Sequence, residues 1–244
     1  MRNSRFYWSF VACFASWLAW DLTALGGDLP VTLQSETRAN ASSESVEVRD
    51  FEVRVDNRPA GTHRLTIKSE GDTHRVAFQT DVKVDVIVYA YVFKFRGTEV
   101  WRNGRLDHAD VRCEDGGKKR SFALKTDGAI QAISFNGKSI PASSPSVMTT
   151  AYWQLPPVEM RSKPLALVDV DTGETSKVTL SIVGPTTIST SGRSLACQHF
   201  KIDGPSPAEL WFDDRDRLVR QKSVEEGHLM ELRLKQIRIP KDDR

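Results

Sequence analysis

From Val46 to Ile239 the apolar residues recur mainly with a period of two, the spacing of strands buried on one face. Val46 and Val48, then Phe51, Val53 and Val55, predict a first strand that stops at Asp56-Asn57-Arg58-Pro59. Leu65 and Ile67 mark a second, ended by Glu70-Gly71-Asp72. Asn103-Gly104, Asp115-Gly116-Gly117, Asp127-Gly128 and Asn136-Gly137 supply the positive φ angles of tight hairpins. Later strands are predicted over 165–170, 177–183, 194–202, 208–212, 218–224 and 228–239. In the last of these the stripe Met230, Leu232, Leu234 changes phase to Ile237 and Ile239, which implies a bulge or twist. Short strands with regular turn signals argue for an all-β sandwich or barrel.

Two segments depart from this rhythm. Over residues 73–95 the even positions from Val76 to Val92 form an almost unbroken apolar stripe. The odd positions begin polar (Gln79, Asp81, Lys83, Asp85) and turn to Ile87, Tyr89, Tyr91, Phe93 and Phe95. One strand of about 20 residues, longer than the usual five or six, would belong to a strongly bent sheet. Two ordinary strands joined by a bulge are the alternative. The second departure, residues 140–164, holds Pro141, Pro145, Pro156, Pro157 and Pro164 around Val147–Trp153. It predicts a long crossover with at most one short helix, capped by Ser143 or Ser144.

The N-terminus is a different kind of segment. Arg2 and Arg5 precede a 15-residue run, Phe6–Trp20, followed by the small-residue stretch Ala24–Gly27. This is the order of an export signal, and the run is short for a membrane span. Residues 1–27 are therefore expected to be a signal peptide, with an uncleaved signal anchor as the alternative and the only expected tie to a membrane. Residues 28–45 read as a polar leader, and 46–240 as a single antiparallel β domain. With Lys plus Arg at 34 and Asp plus Glu at 32, the formal charge is +2, and losing residues 1–27 leaves +1. That balance argues against a dedicated nucleic-acid binder. In an oxidising compartment Cys113 and Cys197 are the pair expected to form a disulfide, which would close a loop of roughly 85 residues and contribute about 4 kcal/mol. Two isolated buried thiols are the alternative.

Catalytic and metal motifs carry little. Asp171-Thr172-Gly173 matches the core of an aspartic-protease loop, but no second copy exists, so a hairpin turn is expected. Asp213-Asp214-Arg215-Asp216-Arg217 lacks the glycine and distal glutamate of a calcium loop, and its arginines neutralise it; an exposed turn is expected. His63, His74, His108, His199 and His228 show no H-x-x-x-H or H-x-H spacing. No G-x-S-x-G elbow and no glycine-rich phosphate loop occur. No metal, cofactor or catalytic residue is assigned.

Four fragments together carry a resemblance: Phe51-x-Val53-x-Val55 with Gly61 ten residues on, Glu99-x-Trp101-x-x-Gly104-x-Leu106, Thr149-Thr150-x-Tyr152-Trp153, and Ala208-Glu209-Leu210-Trp211-Phe212-Asp213 followed by Leu218-Val219. The chain resembles an uncharacterised family of exported β-proteins of Gram-negative bacteria, and is distantly similar to periplasmic envelope-integrity proteins with a spiral β-sheet. The resemblance covers roughly 46–237, with Phe212 standing where such families often show Tyr. It implies a strongly curved antiparallel sheet, a half-barrel or β-spiral of the kind seen in lipoprotein carriers. It brings no activity and no catalytic residues.

These observations lead to an expectation of a non-enzymatic, periplasmic or secreted protein. Its curved sheet would bind a lipid or amphipathic small molecule, or an envelope protein partner, and no nucleic acid. The candidate binding residues are Tyr89, Tyr91, Phe93, Glu99, Trp101, Tyr152, Trp153 and Trp211. The alternatives are a carboxylate-based hydrolase or carbohydrate-active enzyme using Glu99 or Asp169, and an assembly protein that pairs through its sheet edges.

Overall fold

The computed structural model describes residues 44–240, apart from 87–88, 144–147, 162, 191 and 226 and the side chains of 85–90 and 142–143. The export segment, most of the leader, the Tyr89 side chain and the Ser144 cap lie outside the described residues. Fifteen strands follow in chain order. They are β1 (Ser45–Val55), β2 (Arg58–Glu70), β3 (Thr73–Val86), β4 (Tyr89–Arg102), β5 (Arg105–Asp115), β6 (Lys118–Asp127), β7 (Ile130–Phe135) and β8 (Lys138–Ser143). Then come β9 (Met148–Thr149), β10 (Leu165–Val168), β11 (Thr175–Thr190), β12 (Arg193–Asp203), β13 (Ala208–Phe212), β14 (Leu218–Glu225) and β15 (His228–Arg238).

All of them belong to one sheet, in the order β8-β7-β6-β5-β4-β3-β2-β1-β15-β14-β13-β12-β11-β10-β9. Neighbours are antiparallel except β9 and β10, which are parallel. Each strand pair adds about 20–25° of twist, so a sheet this wide must curl upon itself. Curling is what gives a single sheet an inside. The chain's first and last strands meet as β1 and β15, and the predicted phase change in β15 is a bulge there: Asp50 pairs with Gln236 but Phe51 with Leu234.

Residues 73–95 are not one strand. Val86 pairs with Tyr89, Val84 with Tyr91 and Val82 with Phe93, so the chain reverses between β3 and β4. Partners directly opposite one another share a face. Even positions of β3 and odd positions of β4 therefore point the same way: Val76, Phe78 and Val82 lie in the interior beside Phe95, Glu99 and Trp101. The single long strand does not hold; there are two strands, as in the alternative, joined by a reversal of the chain and not by a bulge. The apolar shift at residue 87 marks an exchange of inner and outer faces at a hairpin.

Two apolar clusters form the core. The first lines strands β1–β7 with residues such as Phe51, Leu65, Phe78, Phe122 and Ile133. The second joins Met148, Tyr152, Leu165, Phe200, Leu210, Phe212 and Leu218. The crossover after β8 supplies both. Ala151, Trp153, Val168 and Val170 pack into the first cluster, so the concavity of the curved sheet is filled by the chain itself. The predicted short helix is a 3-10 turn at Val158–Met160, set by Pro157 rather than by a serine cap. The Asp171-Thr172-Gly173 turn joins β10 to β11 and brings Gly173 within 3.1–3.4 Å, measured from where a Cβ would stand, of Ile140, Phe122 and Phe135.

Cys113 and Cys197 are both free and buried, which corrects the expected disulfide. They sit on β5 and β12 in different surroundings: Cys113 beside Asp171, Arg120 and Asp115, and Cys197 donating to the Leu195 carbonyl at 3.4 Å in the field of Asp213. Burial pushes the Cys113 thiol up to about 12 and the Cys197 thiol up to about 11. At pH 8 neither thiol of the native protein is expected to react with Ellman's reagent, while both react in guanidinium without reductant. A disulfide would leave both unreactive in guanidinium.

Candidate functional site

The site begins with two residues of β4. Glu99 and Trp101 are two apart on a strand and so share the inner face. The Trp101 indole Nε1 donates to Glu99 Oε2 at 2.7 Å. Glu99 has no exposed surface at all. Against this pair lies the strap formed by β9 and the residues after it. Thr149 brings its hydroxyl to the Glu99 carboxyl, and the Trp153 ring stands edge-on to Trp101 with centroids 6.1 Å apart. His74 of β3 completes the aromatic group, 5.4 Å from Trp153.

Buried charge ties the strap down. Arg49 of β1 donates through Nη1 to the Trp153 carbonyl at 2.5 Å and pairs with Glu47. Arg217 reaches Glu47 at 3.5 Å and Asp213 at 2.7 Å. Asp213, expected on an exposed turn, is buried, and its Oδ1 accepts the backbone N–H groups of Arg215 and Arg217 at 3.0 Å each. The turn still forms, but its aspartate anchors a network instead of facing water. Burial lowers the pKa of the Arg49 guanidinium, and the Glu47 carboxylate beside it opposes the shift. Arg161, further along the strap, pairs with Asp216 of the same turn.

The network is complete except at the seam between strap and sheet. Trp153 Nε1 is buried with no hydrogen-bond partner, and Glu99 Oε1 and Thr149 Oγ1 lie near each other without completing a hydrogen bond of good geometry. Burial pushes the Glu99 carboxyl up to about 7; the Trp101 indole and the Thr149 hydroxyl hold it from rising further. His63, sharing a 2.7 Å hydrogen bond with Thr80, is pushed down to about 4 by burial alone. Asp171 is raised to about 7, chiefly by burial and then by the Asp169 and Glu225 charges. Among the described residues no group of three or more His, Cys, Asp or Glu is arranged to hold a metal ion.

Three of the eight predicted binding residues, Glu99, Trp101 and Trp153, come together here. The Tyr89 side chain lies outside the described residues, and the remaining four make their contacts elsewhere. Phe93 packs on the first cluster and stacks on Phe95 with centroids 6.2 Å apart. The Tyr91 hydroxyl donates to Asp115 at 2.5 Å. Tyr152, neighbour to Trp153, packs into the second cluster; its left-handed backbone, with φ at 44°, turns the two side chains apart. Trp211 lies between His199, stacked at 4.3 Å, and the guanidinium of Arg220 at 4.9 Å. Pattern reading missed His74, Thr149 and Arg49. Arg49 alone carried a signal, because it falls on the odd, inward positions of β1 with Phe51 and Val53. Among the described residues no carboxylate acts on Glu99, and Asp169 lies in the β10–β11 turn, where its carboxylate accepts the Asp171 amide at 2.9 Å.

Fold and site together define a curved, nearly all-β domain whose own crossover strap lies in the sheet's concavity over a buried carboxylate and two tryptophans. The chain belongs to the family described as Domain of unknown function DUF6134, whose model matches residues 51–235. Among solved structures it is similar to a β-barrel-like protein of domain of unknown function DUF1849 from Brucella abortus. That match has a TM-score of 0.58 and 9% identity, and it covers 80% of this chain and 98% of the other. At that identity the likeness shows the fold alone. No curated protein matches.

Proposed function

We propose that this protein is an exported, non-enzymatic binding component of the bacterial envelope. Its ligand is an amphipathic molecule that takes the place of the strap, residues 148–161, on the concave face. Export rests on Arg2 and Arg5 ahead of the Phe6–Trp20 run. The observation that carries the binding site is the seam, where Trp153 Nε1 is buried without a partner and Glu99 Oε1 and Thr149 Oγ1 lie near each other without completing a hydrogen bond of good geometry. Each such atom costs about 1–3 kcal/mol, so the closed seam is less stable than its apolar packing alone would make it. An amphipathic guest can hydrogen-bond these groups with its polar end and cover Trp101 with its apolar end. Ala151 and Trp153 of the strap pack into the core of the concavity, so entry requires the strap to lift.

Three measurements test this. Native mass spectrometry of the protein from its own periplasm should show an amphipathic adduct, and titration with lysophosphatidylglycerol should shift tryptophan emission, more weakly in Trp153→Phe. Hydrogen exchange of the strap amides should be faster than that of β1–β4. No adduct and no shift, with strap amides exchanging only by global unfolding, would overturn the reading.

A further inference from the structure

The outer face of β2–β5 carries a second feature, independent of the strap. Cross-strand register aligns its residues into rows that run across the strands. The middle row is short: Thr66, Ala77, Thr98 and Asp110 are successive partners from β2 to β5. On one side stands the row Arg64, Gln79, Arg96 and Arg112. On the other stands Lys68, Arg75, Val100 and His108, continued on β6 by Lys125. A hollow of about 370 Å³ lies between the middle row and the row Arg64–Arg112, and the row that begins at Lys68 borders the middle row on its other side. Strand spacing of about 4.8 Å makes the trough, hollow and bordering row together, roughly 19 Å long from β2 to β6.

Its charge is far from the balance of the whole chain. The hollow is lined by Arg64, Arg96 and Arg112, with Asp110 in its floor and Asp50 and Asp81 behind them, and the bordering row adds Lys68, Arg75 and Lys125, with Glu70 and Asp127 two residues further along β2 and β6. Arg64 is engaged by Asp50 at 2.5 Å and Arg96 by Asp81 at 2.7 Å, while Arg112 is 4.0 Å from Asp110. Lys68, Arg75 and Lys125 have no ion pair among the described residues. One row is thus braced by acids and the other is open to an anion.

We infer that this trough binds a linear anionic polysaccharide lying across the strands. Charge complementarity sets the sign of the ligand, and the shape selects its class. Leu65, Ile67, Val76 and Phe78 point inward from these strands, so the trough lies on the convex side, where a flexible chain can follow the curvature and a flat bilayer touches only along a line. No Phe, Tyr or Trp stands in the three rows, so the bases of single-stranded nucleic acid have no large aromatic platform to stack on. Threonine hydroxyls and arginine forks are the groups that hydrogen-bond sugar hydroxyls and carboxylates.

The test is fluorescence anisotropy with a labelled oligogalacturonate, against a neutral dextran of equal length and a single-stranded DNA, with sedimentation on phosphatidylglycerol vesicles in parallel. Oligogalacturonate should bind, dextran should not, and affinity should fall as salt rises. Reversal of the open row (Lys68→Glu, Arg75→Glu, Lys125→Glu) should weaken binding at least 30-fold. Ala77→Trp, which fills the floor and leaves every charge in place, should weaken it about tenfold, and Thr98→Gln serves the same purpose if the Trp variant melts early. All of these positions face solvent or the half-open outer surface, so melting temperature reports whether the fold is kept. The inference fails if no polyanion binds, if DNA or vesicles bind more tightly than the oligogalacturonate, or if floor filling has no effect while charge reversal does.

Discussion

Gly61→Ala is expected to lower the melting temperature by on the order of 6–12 °C, corresponding to about 3 kcal/mol or more for a domain of this size. The reason is space, since the backbone there lies outside the left-handed region that favours glycine. A Cβ on Gly61 would stand 2.0 Å from the Asp81 carbonyl oxygen and 2.8 Å from the Val82 Cα. Both are backbone atoms of the paired strand β3, so no rotamer relieves the clash and the β2–β3 ladder must open. The position matters because β1 changes register against β2 just there, with Val53 opposite Gly61 and Arg54 opposite Pro59. A side chain would resist the bend that wraps the sheet. Thr62→Ala, one residue on and exposed, is the control and should change stability by less than about 0.5 kcal/mol. Thermal and urea unfolding of both variants decide the matter; a Gly61→Ala protein as stable as the native one would refute this account.

Glu99→Gln should stabilise the protein, and only toward alkaline pH. The folded carboxyl is raised from 4.5 to about 7, so the folded state holds a proton that the unfolded chain releases. Stability therefore falls as pH rises from about 4.5 to about 7 and stays reduced above it, by about 3 kcal/mol at full ionisation. Gln cannot ionise and keeps an oxygen to accept the Trp101 N–H, so it escapes this loss. Urea unfolding should give a variant up to about 3 kcal/mol more stable at pH 8 and within about 1 kcal/mol of native at pH 5. The comparison with the variant is essential because His63 runs the other way. Its folded pKa is pushed from 6.5 down to about 4, so its contribution falls away as pH drops through that window. Asp171, also raised to about 7, adds to the Glu99 trend. The native profile mixes all three, and the difference between the two proteins isolates Glu99. Equal stability of the two at pH 8 would mean that the carboxylate is solvated.

Much of the fold was legible because a strand's face is a local property. Period two placed nearly every strand, and Asn103-Gly104 and Asn136-Gly137 adopt the positive φ angles their sequence demands. The phase change in β15 marked a real bulge. Residues 73–95 misled for a physical reason. A hairpin whose pairing joins Val86 to Tyr89 exchanges inner and outer faces, and the run Val82–Val92 carries no Gly, Asn or Pro to announce it. The site was legible in its aromatic and acidic members and not in its assembly. Glu99 and Trp101 share a strand, but Thr149, Trp153 and Arg49 reach them only because the crossover doubles back into the concavity. Cys113 and Cys197 were a plausible pair by compartment, yet both are buried as free thiols on β5 and β12.

By itself the sequence determined an all-β chain, its strands and turns, and a near-zero net charge, since each follows from composition or from neighbours a few residues apart. Only the tertiary structure decided what fills the curve of the sheet and where the charges gather. Interior filling depends on a segment some 50 residues from the strands it covers. The basic patch depends on register, which sets Arg96 beside Arg112 and Lys68 beside Arg75, while a sum over the whole chain cancels them against acids elsewhere.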